Sequence, residues 1–257
     1  MKLEGKCALV TGAGIGIGRE VALEYARQGA DVVLSYHTSS DGALSAVDEI
    51  RGMGRHALAR RADLTKVQAC TALVEGAIDF LGRLDILVNN AGVTAAKSFL
   101  EVTPEEFDDL YHLNIRGQYF CAQRAARAMR EQGKGIIINT LSIHAFAGYP
   151  GLSVYAGTKG AILATTRELA VELAPYHIRV VGVAPGAIDV PRFYRQIKDY
   201  SPEAMGQIIP WGRVGRPRDI AKVCAFLASD DADFLVGSII TVDGGTMAKM
   251  ALDMEIL

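Results

Sequence analysis

Short runs of β-branched and other apolar residues alternate along the chain with longer stretches whose apolar positions recur every three to four residues. The short runs suit strands and the longer period suits amphipathic helices. Strands are expected over 7–10, 31–34, 57–60, 86–88, 135–138, 179–183 and 238–242. Helices are expected over stretches such as 17–28, 65–81, 104–130 and 153–174. Alternation of this kind marks βαβ units and a parallel sheet. Several strand candidates, Ile136-Ile137-Ile138 among them, are apolar throughout, as fits strands covered on both sides. The expected architecture is α/β: one doubly wound domain over 1–257, with a seven-stranded, mostly parallel sheet and helices on both faces.

Local signals sharpen two places. Thr103-Pro104-Glu105-Glu106 reads as a helix start, with Thr103 as cap, Pro104 at the first position and acids in the first turn. The longest irregular region, about 187–216, holds Pro191, Pro202 and Pro210 and follows the 179–183 strand. Ligands of open α/β sheets bind at the carboxyl ends of strands, so a long loop there is expected to be a lid over a substrate.

Composition narrows the classes. The chain is 50% apolar and 22% charged with a formal net charge of −2, as for a globular protein with a substantial core. Basic residues are interspersed with acidic ones, which argues against a nucleic-acid partner. Cys7, Cys70, Cys121 and Cys224 form no CxxC pair, and five histidines show no ligand spacing, so neither a disulfide framework nor a metal is expected. No signal-peptide core and no run near the ~18 apolar residues of a membrane helix occurs, which points to the cytoplasm and to no membrane partner.

The first candidate chemistry is Thr11-Gly12-Ala13-Gly14-Ile15-Gly16-Ile17-Gly18, between the first strand and the first helix. Glycines permit positive φ and close approach of a ligand, and the amides that open the helix favour a diphosphate. This is the position of the phosphate turn in a Rossmann βαβ unit. A tight strand–helix turn is the bland alternative. The second strand ends in Ser35-Tyr36-His37, with no acid to grip a ribose diol and no Arg to clamp a 2′-phosphate. The hydroxyls and His37 could accommodate a phosphate and Tyr36 could cover the adenosine, which favours NADP or dual use over strict NAD.

Ser142, Tyr155 and Lys159 form the second constellation. Tyr155 and Lys159 are four apart and share one helix face. A tyrosine near pKa ~10 is a poor proton carrier at neutral pH. An ammonium about 5 Å away at an effective dielectric of ~20 contributes roughly 3 kcal/mol, or about two pKa units toward phenolate. Tyr155 then exchanges a proton with an alcohol or carbonyl while hydride moves, and Ser142 fixes the substrate oxygen. Alone the pair is weak evidence, since roughly 0.3 such pairs are expected by chance.

The full set in order is specific. The glycine turn, Asp63 in Ala62-Asp63-Leu64-Thr65, Asn89-Asn90-Ala91-Gly92, Asn114, Ser142, Tyr155-Ala156-Gly157-Thr158-Lys159, Pro185-Gly186 and Asp243-Gly244-Gly245 resemble the short-chain dehydrogenases/reductases over essentially the whole chain. The resemblance implies that Asp63 and Leu64 contact adenine and that Asn90 and Gly92 line the cofactor. It further implies that Asn114 kinks its helix and holds a water leading to Lys159, that Lys159 also binds the nicotinamide ribose, and that Pro185, Gly186 and Ile188 meet the nicotinamide end. Asp63 could instead cap a helix, and Asn89-Asn90 could be an ordinary turn. Leu141, Val181 and Val190 depart from residues the family often uses there.

Within the family, Ser142-Ile143-His144 and the segment 184–191 are most similar to glucose 1-dehydrogenase-like members. The expected substrate is therefore a sugar or polyol, with Ser142, His144 and Tyr155 touching it. A 3-oxoacyl-thioester (acyl-carrier-protein) reductase is the alternative, and a non-catalytic nucleotide-sensing regulator a more distant one. The resemblance also implies a homotetramer built on the helices of Asn114 and Tyr155, with the apolar tail 246–257 seeking a neighbour.

Overall fold

The computed structural model describes residues 1–249, so residues 250–257, most of the apolar tail, lie outside the described residues. Seven strands form one sheet: β1 (Cys7–Val10), β2 (Asp31–Tyr36), β3 (Ala57–Arg61), β4 (Ile86–Asn89), β5 (Gly135–Thr140), β6 (Ile178–Pro185) and β7 (Ile239–Val242). Their order is β3-β2-β1-β4-β5-β6-β7, and every neighbouring pair is parallel, where the pattern had indicated mostly parallel.

All seven expected strands are present, and β2 to β6 run on past their apolar stretches at the carboxyl end. Pairing there is carried by backbone, as in Asn89↔Asn139 and Thr140↔Val183, so polar side chains do not interrupt it. Those extra residues are the ones that border the site.

Period-two alternation sends successive strand residues to opposite faces. Ala8, Val10, Val32, Leu34, Ile86, Val88, Ile136 and Ile138 join one buried cluster with α1 (Gly16–Arg27), α2 (Ser40–Gly52) and α9 (Pro217–Ala228). Leu9, Val33, Leu87 and Ile137 join the other with α3 (Val67–Leu81), α5 (Gln118–Gln132) and α6 (Ser153–Leu173). The expected helix over 104–130 is instead broken into α4 (Pro104–Tyr111), a π-helical turn (His112–Gly117) and α5. Thr103 and Glu106 cap α4 reciprocally, with Pro104 in the first turn. The 187–216 segment is not wholly irregular: it holds the short helices α7 (Phe193–Gln196) and α8 (Pro202–Gln207). Its two ends are tied, since Asp189 N donates to Gly215 O at 2.8 Å and Gly215 N to Ala187 O at 2.9 Å. No helix among the described residues is long and apolar enough to cross a membrane.

Strand order reverses between β1 and β4, and a crevice opens where their following loops diverge. Thr11 joins the two: its hydroxyl donates to Val88 O and accepts from the amides of Asn90 and Ala91, at 3.0 Å each. Thr11→Val should strand the Ala91 amide, leave that of Asn90 with Val88 O alone, and cost ~1–3 kcal/mol of stability, while Thr11→Ser stays near wild type. Urea unfolding of the three proteins checks this; a valine variant as stable as the parent would show the hydroxyl to be dispensable.

Candidate active site

A cleft of about 450 Å³ runs along the carboxyl ends of the strands. Tyr36, His37, Asp63 and Leu64 line it beside β2 and β3, and Ser142, Tyr155 and Lys159 beside β5 and α6. Gly12, Gly16, Ile17, Ser35, Asn90, Gly92, Pro185, Gly186 and Ile188 also line it. Gly14, Gly18, Asn114 and His144 do not, and each has a different place.

Gly12 and Gly16 have φ of +63° and +61°, so the turn needs glycine at both. Gly18 lies under Asn90, whose Nδ2 donates to Thr11 O and Gly12 O at 2.9 and 3.1 Å; a Cβ on Gly18 would come within 2.4 Å of that nitrogen. Gly14 likewise makes room for Ser39. Ser35 is 2% exposed and its hydroxyl accepts from the Gly12 amide, so it shapes the turn rather than offering a free hydroxyl to a phosphate. Asp63 Oδ1 accepts from the Thr65 amide and hydroxyl, bonds that hold its carboxyl below the usual range. It is not the cap of α3, whose N-cap is Lys66.

Asn114 sits in the π-helical turn with no exposure. Its Oδ1 accepts from Val93 N at 2.9 Å, and its Nδ2 donates to Val93 O at 2.9 Å and Thr158 Oγ1 at 3.2 Å. The side chain thereby ties the loop after β4 to α6. One turn separates Tyr155 from Lys159 on α6, and the Lys159 ammonium stands 5.6 Å from the Tyr155 ring centre. Lys159 is 4% exposed and donates to Thr140 O at 2.8 Å. Burial pushes the Tyr155 hydroxyl up, but the Lys159 charge, hydrogen bonds with Thr94 and Ser142, and the Arg192 guanidinium together hold it below the ordinary tyrosine value. Burial draws Lys159 down, against the pull of Tyr155. His144 meets Tyr155 edge-on at 5.8 Å and Tyr149 at 6.3 Å, and burial lowers its pKa.

The cleft fits a dinucleotide. Helix α1 opens on it with no side-chain cap at Ile15, leaving its first amides for an anion. Thr140 Oγ1, buried and on the cleft wall, has no hydrogen-bond partner among the described residues.

The protein-family model described as enoyl-(acyl carrier protein) reductase matches residues 12–247. A solved short-chain dehydrogenase from Burkholderia cenocepacia J2315, in complex with NADP, superposes with a TM-score of 0.89 at 34% identity over 96% of this chain and 100% of its own. The chain belongs to the short-chain dehydrogenase/reductase family. Other members are more similar in sequence. Versicolorin reductase of Emericella nidulans is 41% identical over 255 residues, 95% of this chain and 96% of that protein. Trihydroxynaphthalene reductase of Pestalotiopsis fici is 39% identical over 256 residues, 95% and 90% of the two chains. A 7α-hydroxysteroid dehydrogenase, solved with NADH and 7-oxo glycochenodeoxycholic acid, has a TM-score of 0.90 at 40% identity, over 95% of both chains. As in this family generally, the chain is an NAD(P)-dependent oxidoreductase acting on CH–OH or C=O groups. The glucose-dehydrogenase likeness read from 142–144 and 184–191 finds no support among these relatives, which are named for other substrates.

Sequence reasoning assigned no role to Thr94 or Arg61, and placed Arg192 only within the lid segment and Asp243 only within a motif. Thr94 follows the Asn89–Gly92 stretch and reaches Tyr155; Arg192 bonds Thr94 across 98 positions of sequence. Arg61 reaches the second-strand loop, its Nε donating to His37 O at 3.2 Å, because β2 and β3 pair Tyr36 with Arg61. Asp243 backs Gly186, where a Cβ would lie 2.7 Å from the Asp243 Cβ. For Thr94 the usable signal was its position after a strand end.

Replacing Lys159 by Met removes the largest opposing charge while leaving burial in place. Tyr155 should then titrate above an ordinary tyrosine, whereas wild type titrates below it; ¹³C-tyrosine NMR across a pH series reads both. Equal titration in the two proteins would mean the ammonium does not act on the phenol.

Proposed function

We propose that this chain reduces a ketone on a hydroxylated, fused-ring aromatic skeleton, with NADPH preferred over NADH. The carrying observation is the Tyr155 hydroxyl, held below its ordinary pKa by Lys159 at the reacting end of a long cleft. When bound, the nicotinamide cofactor supplies the hydride, or accepts it in reverse. Tyr155 gives its proton to the substrate oxygen in reduction and takes one in oxidation, and Ser142 hydrogen-bonds the same oxygen. Lys159 favours the phenolate and offers its ammonium to the nicotinamide ribose. Asn114 holds the Val93 loop and α6 in register. The glycine turn receives the diphosphate, Asp63 and Leu64 the adenine, Asn90 and Gly92 the middle of the cofactor, and Pro185, Gly186 and Ile188 its nicotinamide end.

Two features favour aromatic rings over a sugar. Val93, Leu141, Val190 and Phe193 give that wall apolar area that a ring system covers and a polyol does not. His144, the residue on which the polyol reading leaned, is engaged edge-on with Tyr155 and Tyr149 rather than lining the cleft. The names of the relatives, versicolorin and trihydroxynaphthalene reductases, point the same way. NADPH is favoured because His37, Thr38 and Ser39 line the adenosine end with Arg61 beside them. The tied segment 187–216 serves as the lid. Four buried, unpaired cysteines suit the reducing cytoplasm.

Tetralone- and naphthol-type ketones, glucose and an acetoacetyl thioester, each assayed with NADPH and NADH, test the reading. We expect the fused-ring ketones to be turned over fastest, with NADPH. Glucose as the best substrate would restore the polyol reading. Tyr155→Phe should keep cofactor affinity and lose ~10²–10⁴ in turnover; near-normal turnover would identify a different acid. A homotetramer fits the exposed Phe99, Leu100 and Phe107 around the start of α4. Light scattering should return four chains per particle, and a monomer would remove that reading.

A further inference from the structure

The reacting end of the cleft carries a guanidinium with no carboxylate partner. Arg192 lines the cleft, and its Nη1 donates to Thr94 Oγ1 at 2.9 Å. Thr94 and the Arg192 charge are both among the groups that hold the Tyr155 hydroxyl below its ordinary pKa. Among the described residues no carboxylate lies within 4.0 Å of Arg192, and its other donors have no hydrogen-bond partner. The acid nearest in sequence, Asp189, is occupied: the hydroxyls of Tyr194 and Tyr200 donate to its two oxygens at 3.4 and 3.2 Å. Asp63, the one carboxylate on the cleft wall among the described residues, is at the adenosine end and bonded to Thr65.

The cofactor diphosphate is not a natural partner for this charge. Val190 lies over Gly16 in the glycine turn, within 3.4 Å of where a Cβ would stand, and so marks the diphosphate end. Two residues further on, the chain has reached Thr94 and the Tyr155 hydroxyl. An unpaired guanidinium in a partly enclosed, largely apolar site calls for a planar anion, which its fork of donors matches with two parallel bonds.

We propose that Arg192 is a specificity-determining residue that binds an ionised oxygen group of the substrate, a carboxylate or phenolate held a few atoms from the ketone. This rests on reading the cleft as a ketone site and adds that its substrate is acidic. A neutral analogue leaves the guanidinium facing apolar rings without a counter-charge and binds less well for that reason.

Equilibrium binding to the protein–NADPH complex tests the proposal without turnover. The probes are 2-naphthoate against its methyl ester, and a nitronaphthol ionised at neutral pH against its methyl ether. Wild type should prefer at least one anion over its neutral partner by about tenfold, and the pair that shows it tells carboxylate from phenolate. The preference should fall to near unity in Arg192→Met and survive in part in Arg192→Lys, with NADPH affinity unchanged. Three results would overturn it: wild type showing no preference in either pair, the methionine variant keeping the preference, or NADPH affinity falling with it, which would give the guanidinium to the cofactor. Failure of the fused-ring reading appears separately, as absent ketone turnover in a protein that still discriminates the probes.

Discussion

Lys159 carries a charge that water hardly reaches, and Thr140 O accepts the one hydrogen bond that its ammonium makes among the described residues. Burying an ammonium is costly unless it is paired, and a single carbonyl is thin compensation. The phenol of Tyr155, one helical turn away, works against that cost by pulling the Lys159 pKa back up. The lysine makes the tyrosine more acidic, while burial makes the lysine easier to deprotonate than a free one, against the pull of the tyrosine. The arrangement survives only if α6 is held rigidly against the end of β5.

The sheet provides that rigidity. Alternate residues of the strands fill two separate cores, so β5 is packed from both sides before it reaches Thr140. Asn139, next to it, donates to Thr166 Oγ1 of α6 at 2.9 Å and accepts from Asn89 at 3.0 Å. Asn114 then fixes α6 from above through Thr158 and joins it to the Val93 loop. A buried polar ladder therefore runs from β4 through β5 to the helix that bears Tyr155, and its bonds set direction as well as stability.

Much of this was legible in the sequence. Apolar runs marked all seven strands, because a strand buried on both faces has little freedom in composition. The glycine turn and the Tyr155–Lys159 spacing announced themselves because a tight turn and a helix face are local features. What was not legible is tertiary. Ser35 looked like a phosphate contact, yet the Gly12 amide claims its hydroxyl from 23 residues away. The stretch 104–130 has helical periodicity throughout; the resemblance implied a kink at Asn114, and its bonds to Thr158 and Val93 give the π-helical turn there its reason. Ser39-Ser40-Asp41-Gly42 has turn composition but opens α2. Arg192 and Thr94 lie too far apart for any pattern to join them.

The pH dependence of kcat/KM for alcohol oxidation, compared with that for ketone reduction, tests the coupled tyrosine–lysine pair most directly. Oxidation needs the phenolate, so it should rise through a single ionisation below the ordinary tyrosine range and then level off. Reduction needs the phenol and should fall as pH passes through the same region. If both directions instead ran flat through that region, or broke only at the pKa of an ordinary tyrosine, the buried ammonium would not be governing the proton.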